Sequence, residues 1–168
     1  LIQSLFATFG SGLVVPDTGI VLQNRGALFR FDEDHPNVFA PRRRPLHTLC
    51  PVIVLSNDLP WLAIGTPGGD GQTHTLTQVI NNIALFGMNP QEAIDAPRLR
   101  RLSDGSLAIE DRVPLEVRDA LEARGHTVHP RSGWTAEFGG AQAVLVDQIT
   151  GRRVAGADRR REGWAVAY

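Results

Sequence analysis

Apolar residues in the first part of the chain fall in short blocks, not in long amphipathic stretches. Residues 1–7 and Ile20-Val21-Leu22-Gln23 read as strands, joined by Gly-rich Phe9-Gly10-Ser11-Gly12 and the turn signal Pro16-Asp17-Thr18-Gly19. Residues 30–51 show no period and mix prolines with acidic Asp32-Glu33-Asp34 and basic Arg42-Arg43-Arg44, which predicts a long ordered loop. Val52-Ile53-Val54-Leu55 and Trp61-Leu62-Ala63-Ile64 then flank Ser56-Asn57-Asp58-Leu59-Pro60 as a β-hairpin, followed at once by Pro67-Gly68-Gly69-Asp70-Gly71.

From residue 73 the period changes. Leu76, Val79, Ile80, Ile83, Leu85 and Phe86 recur near every 3.6 residues, predicting a helix over 73–86 with Gly87 as its stop. Asn89-Pro90-Gln91-Glu92 opens a second, short helix that Pro97 ends, with Asn as cap and Pro at the first helical position. A third helix runs from Pro114 to about Arg124, closed by Gly125. His126-Thr127-Val128 and Gln142-Ala143-Val144-Leu145-Val146 read as strands, and Asp147–Gly151 turns the second of them into Arg152-Arg153-Val154-Ala155. The pattern predicts an α+β fold of mostly antiparallel strands joined by hairpins, with helices grouped on one face.

Composition narrows the function. The 168 residues carry 42% hydrophobic and 21% charged residues and make one domain piece, 1–168, with no repeat or linker. No apolar run approaches the roughly 18 residues that cross a bilayer, so no membrane partner is expected. A net charge of −1 gives no electrostatic case for nucleic acid. All 17 basic residues are Arg, which removes Schiff-base and phosphate-loop Lys chemistry. Cys50 is the only cysteine. The five His lack metal-ligand spacing, so neither a metal nor another cofactor is expected. The compartment stays open between a bacterial cytoplasm and periplasm.

The sharpest local feature is Gly68-Gly69, between a buried-looking strand and a helix. Two adjacent glycine N–H groups there suit an oxyanion hole, or the pair simply meets a turn's demand for positive φ. No Gly-x-Ser-x-Gly elbow is present. The chain opens directly into Leu1-Ile2-Gln3-Ser4-Leu5-Phe6, as if a strand were entered midway. Either the start is truncated or another chain precedes it.

Phe9-Gly10-Ser11-Gly12, Pro16-Asp17-Thr18-Gly19-Ile20, Arg44-Pro45-Leu46-His47-Thr48-Leu49-Cys50-Pro51, Pro67-Gly68-Gly69, Gly87-Met88, Ala93-Ile94-Asp95-Ala96-Pro97-Arg98 and Gly156-Ala157-Asp158 occur in an order that resembles the small subunit of γ-glutamyltranspeptidases. Each motif is weak alone; the ordered set covers essentially the whole chain. The resemblance implies an N-terminal-nucleophile hydrolase with an αββα sandwich shared with a large subunit from the same precursor. It implies a self-cleaving proenzyme whose new N-terminal Thr, upstream of Leu1, attacks an amide with its own α-amino group as base. Pairing into a homodimer of heterodimers is compatible with it.

Carried over residue by residue, Gly68 and Gly69 match the oxyanion-hole pair and Ser4 a hydroxyl that assists the nucleophile. His47-Thr48 stand where a Ser pair usually contacts the substrate carboxylate. Asp70 and Gln72, beside the glycines, are candidates to orient substrate or to cap the helix that follows. Phe6 replaces an Asn, Arg25 a polar residue, and Leu28 the acid that holds the glutamyl ammonium. Arg25 is then either a bidentate carboxylate clamp or a surface Arg paired with Asp17 or Asp32. Arg42-Arg43-Arg44 and Arg159-Arg160-Arg161 read as solvated or salt-bridged faces. These departures resemble the acylase-like, oxamate-amidohydrolase-like branch, which implies hydrolysis of a small-molecule acyl amide. A glutathione hydrolase/transferase and an inactive structural subunit are the alternatives.

Overall fold

The structure, a computed structural model, describes residues 4–166. The chain forms two compact units, Leu1–Thr48 and Leu49–Tyr168.

Among the described residues of the first unit there is neither an α-helix nor an extended ladder. It holds one 3₁₀ turn, Arg25–Leu28, and two isolated bridges, Val14 with Val21 and Arg30 with Val38. Both strand expectations are therefore corrected here. Residues 1–3 lie outside the described residues, and residues 4–7 are not a strand because Phe6 takes φ 76°. The Ser4 hydroxyl accepts the Phe6 N–H at 3.1 Å, satisfying a donor that a ladder would otherwise use. Residues 20–22 hydrogen-bond through their backbone to 11–15 but form a single bridge, Val14–Val21, and no strand, and Ile20 and Leu22 are exposed. A short apolar run makes a strand only where a partner strand and a buried face exist. Side chains add to the backbone bonds of this unit: Asn24 Nδ2 donates to the Gly10 carbonyl at 2.9 Å, while its Oδ1 accepts the Ala7 N–H at 3.0 Å.

The second unit is built on a sheet in the order β1-β2-β6-β7, all antiparallel, with β1 Val52–Ser56, β2 Leu59–Gly65, β6 Gln142–Val146 and β7 Arg153–Ala157. The β1-β2 turn is Asn57-Asp58, both at positive φ (51° and 63°), which matches the right-handed strand twist. Helices α1 (Gln72–Ala84) and α2 (Pro90–Asp95) cover one face of this sheet. Leu62 and Ile64 pack there with Leu76, Val79, Ile83, Ala93, Ile94, Ala141 and Ala143. On the other face, Ile53, Ala63, Val144 and Ala155 form a row across all four strands and are exposed.

The helix signals read from the sequence hold. α1 closes through the Met88 N–H, which donates to the Asn82 carbonyl at 3.1 Å past left-handed Gly87. α2 carries a full capping box, Asn89 Oδ1 accepting from the Glu92 N–H and Glu92 Oε2 from the Asn89 N–H, each at 3.0 Å.

A second sheet, β3-β4-β5, was not legible in the pattern. It joins β3 (Leu99–Arg101) and β4 (Leu107–Glu110) antiparallel, and β4 to β5 (Val128–Arg131) in parallel. The strand expected at 126–128 thus begins where it was expected to end. All four residues of β4 are buried, Glu110 included, so no alternation marks it. Helix α3 (Leu115–Ala123) buries none of its residues.

Candidate active site

β2 runs out through Thr66-Pro67-Gly68, and a 3₁₀ turn, Gly69–Gly71, leads straight into α1. Gly68 stands at φ 142°, ψ 11°, and Gly69 at φ 57°. Among the described residues neither of their N–H groups has an acceptor. Two adjacent amide donors left over at the start of a 13-residue helix are what an anion site is made of. Asp70 is exposed in the same turn. It does not cap α1, whose cap residue is Gly71 with no side-chain bond, so that alternative is corrected.

A second glycine pair backs this turn. The Thr66 hydroxyl donates to the Pro67 carbonyl at 2.8 Å and accepts the Gly140 N–H at 3.0 Å. Gly139, at φ 90°, has no room for a Cβ, which would stand 2.6 Å from Thr66 Oγ1. A Cβ on Gly68 would in turn meet Gly139 Cα at an ordinary 3.7 Å. The carbonyl just before, that of Phe138, accepts Arg98 Nη1 at 2.8 Å and Thr75 Oγ1 at 3.1 Å.

Arg98 opens onto a buried charge network. Its Nη2 lies 2.8 Å from Asp158 Oδ2 and donates to the Ile94 carbonyl at 2.6 Å. Asp158 Oδ2 also accepts the Ala141 N–H at 2.9 Å, and Oδ1 lies 3.1 Å from Arg160 Nη1. Arg160 grips Glu110 through Nε at 2.5 Å and Nη2 at 3.0 Å. Arg112 closes on the same carboxylate, with Trp134 stacked 3.9 Å from its guanidinium carbon. Burial, reinforced by the neighbouring Arg160 cation, holds the Arg98 pKa below its ordinary value despite Asp158. Burial also pushes Arg160 down, but its bonds to Glu110 and Asp158 outweigh this and raise it.

Of the two readings of Arg159-Arg160-Arg161, the salt-bridged one holds for Arg159, paired with Asp95, and for Arg160, paired with Glu110 and Asp158, but Arg160 is 5% exposed and so belongs to the interior and not to a surface face. Arg98, Thr66, Gly139, Gly140, Glu110 and Asp158 were not singled out for chemistry from the sequence. Arg98 and Asp158 stood at the ends of two of the ordered motifs, and the second Gly-Gly, just before a strand, was a further signal.

In the first unit, Ser4 and Arg25 come together: Arg25 Nη2 donates to Ser4 Oγ at 2.9 Å, and the guanidinium lies 4.9 Å from the Phe6 ring centroid. Arg25 is 8% exposed, and among the described residues its Nη1 has no partner. It pairs with neither Asp17 nor Asp32, which removes the surface-Arg reading. Leu28 is half-buried, His47 is exposed and Thr48 half-buried, the last two in irregular backbone. Among the described residues no group of three His, Cys, Asp or Glu side chains could hold a metal ion, and no helix is long and apolar enough to cross a membrane.

Comparison with known proteins covers the whole chain. The sequence model of the family described as Gamma-glutamyltranspeptidase matches residues 1–168. The chain is 40% identical over 170 residues to the glutathione hydrolase-like YwrD proenzyme of Bacillus subtilis, covering 98% of this chain and 32% of the relative. It is 38% identical over 172 residues to the oxamate amidohydrolase proenzyme of Klebsiella pneumoniae, covering 99% of this chain and 32% of the relative. The crystal structure of cephalosporin acylase from Bacillus halodurans matches it with a TM-score of 0.90 at 38% identity, over 99% of this chain and 31% of that one. The chain therefore spans about a third of the length of these relatives.

Proposed function

The chain belongs to the γ-glutamyltranspeptidase family, and from that premise we propose that it is the small-subunit piece, 1–168, of an amidohydrolase that cleaves a small acyl amide. The observation that carries the reading is the Gly68-Gly69 turn, two amide donors without an acceptor at the start of α1. In acyl transfer the carbonyl oxygen of the substrate becomes an anion, and fixed N–H donors 2.7–3.1 Å from it stabilise that charge before any reorganisation is needed. The nucleophile is an N-terminal Thr of the mature subunit, upstream of Leu1, released when the precursor cleaves itself. Its hydroxyl oxygen adds to the amide carbon while its α-amino group takes the proton. The amine leaves with a proton, and water then hydrolyses the resulting ester. No cofactor enters these steps. Ser4 assists the nucleophile, and His47, Thr48 and Asp70 contact substrate.

Arg25 supports the substrate class. A guanidinium 8% exposed, with one nitrogen unpartnered and no carboxylate beside it, is costly unless an anion joins it. A substrate carboxylate supplies that anion. Leu28, where the family places an acid, offers nothing to an ammonium. The favoured substrate is an amide bearing a carboxylate and no α-amino group, the chemistry of the oxamate named for the Klebsiella relative. The large subunit comes from the same precursor. The exposed row Ile53, Ala63, Val144 and Ala155 supports such a covering partner, because open apolar sheet faces are usually paired. The 40% identity to a glutathione hydrolase-like protein favours a second reading, glutathione hydrolysis or γ-glutamyl transfer.

The two readings separate in kcat/KM for oxamate against γ-glutamyl-p-nitroanilide, measured on mature enzyme from the full-length precursor. The wild type should prefer oxamate. Arg25→Ala should raise KM for it with a loss of about 1.5–3 kcal/mol, the value of a charged hydrogen bond. A wild type that favours the γ-glutamyl compound overturns the carboxylate-clamp reading.

A further inference from the structure

The Gly68-Gly69 turn is held from behind by a segment that has no reason of its own to be rigid. Residues 138–141 begin at the last residue of a short 3₁₀ turn, Ala136–Phe138, and contain two consecutive glycines, the most flexible residues in the unfolded chain. Yet three anchor points fix them. The Phe138 carbonyl takes two donors, Arg98 Nη1 and Thr75 Oγ1. The Gly140 N–H goes to Thr66 Oγ1, and the Ala141 N–H to Asp158 Oδ2. Arg98 and Asp158, each 1% exposed, are joined at 2.8 Å, so one ion pair grips the segment at both ends. Between those ends lies Gly139, whose Cα would stand 3.7 Å from a Cβ on Gly68, and the Thr66 hydroxyl that takes the Gly140 N–H also holds the Pro67 carbonyl. The Pro67 carbonyl belongs to the same peptide unit as the Gly68 N–H, so what fixes one fixes the direction of the other.

We propose that Arg98 and Asp158, with Thr75, are positioning residues for catalysis: they aim the Gly68 N–H by clamping residues 138–141 against the glycine turn. The inference rests on the reading of that turn as the oxyanion site. It assigns a buried ion pair a role beyond stability. A hydrogen-bond donor that is aimed in advance stabilises a developing charge without moving, and a donor free to swing does not. Arg98 suits the task because its planar fork serves Phe138, Asp158 and Ile94 at once, which a Lys ammonium at the end of a flexible stem cannot.

The test compares Arg98→Lys, Thr75→Val, Gly68→Ala and Val79→Ala in mature enzyme made from the full-length precursor, with oxamate and γ-glutamyl-p-nitroanilide as probes. Turnover is expressed per active site by titrating the acyl-enzyme burst, and Tm is measured alongside. Val79 is fully buried in α1 and takes no part in the clamp, so Val79→Ala reports the effect of lost stability alone. Thr75→Val should lower kcat about tenfold, and Arg98→Lys about 10–100-fold, both at unchanged KM and both below the 10²–10³-fold of losing a donor outright. Val79→Ala should lower Tm and leave kcat as it is. If Arg98→Lys yields no mature enzyme, Thr75→Val decides by the same criterion. Unchanged kcat in the clamp variants, with Gly68→Ala slowed, overturns the positioning role and leaves the oxyanion reading standing. The positioning role also fails if Val79→Ala slows turnover as much as they do. Unchanged kcat in Gly68→Ala removes the oxyanion reading and the inference with it.

Discussion

Replacing Gly68 and Gly69 one at a time by Ala separates two glycines that are equivalent in the sequence. At Gly68 a methyl group has room, since Gly139 Cα and the Gln72 nitrogen would be 3.7 and 3.8 Å away. The obstacle is the backbone: φ 142° with ψ 11° lies outside the regions open to an L-residue. Holding Ala there costs about 1–3 kcal/mol. The chain relieves that strain by turning the peptide plane, and turning it swings the N–H away from the anion position. A lost donor lowers kcat by about 10²–10³-fold, or about 2.7–4 kcal/mol, and leaves KM nearly unchanged because the charge exists only in the transition state. Gly69 stands at φ 57°, in the left-handed well, with open space where a Cβ would go. Ala there costs about 1–2 kcal/mol of stability and should slow kcat by less than about tenfold, a step of about 1.4 kcal/mol. The assay is kcat and KM on active-site-titrated mature enzyme, with Tm as the measure of strain. A folded, mature Gly68→Ala enzyme with near-normal kcat would refute the reasoning, as would a Gly69→Ala enzyme slower than Gly68→Ala.

Two further outcomes follow from the charges. Glu110 is fully buried and accepts from Arg160 and Arg112, so Glu110→Gln leaves cations without their counter-charge. It should lower unfolding free energy by about 3–5 kcal/mol in denaturant titration of the mature enzyme; a loss below about 1 kcal/mol, the scale of a surface pair, would mean the network is solvated. At the β6-β7 turn, the Thr150 hydroxyl, followed by the Ile149 and Thr150 amides, holds the Asp147 pKa below the usual carboxylate value. The folded state thus favours the ionised form, so this contribution to stability is present above the unfolded pKa and is lost as pH falls through the lower folded one. An NMR titration should place Asp147 below an ordinary Asp and return it toward normal in Thr150→Val; a normal or raised value in the wild type contradicts the assignment.

Local chemistry was legible in the sequence wherever the physical cause is itself local. Asn89-Pro90-Gln91-Glu92 carries its own capping box, Gly87 its own helix stop, and Asn57-Asp58 its own hairpin turn, because each bond closes within a few residues. The glycine pair between β2 and α1 was visible for the same reason, and the order of motifs along the chain was enough to place it in a family. Tertiary structure decided the rest. Whether residues 4–7 and 20–23 form strands depends on an extended partner and a buried face, and the short apolar run at 20–22, which finds only a single bridge at Val14 and stays largely exposed, says nothing about that. Whether Arg160 is solvated depends on Glu110, 50 residues earlier, and the worth of Arg98 on the Phe138 carbonyl, 40 residues later. A charge can be buried only where folding gathers enough opposite charge and carbonyl oxygen around it to replace water. The sequence lists those groups without showing that they meet. It also cannot distinguish Gly68 from Gly69, since the strain that separates them is set by the backbone path between β2 and α1 and by the segment packed behind it.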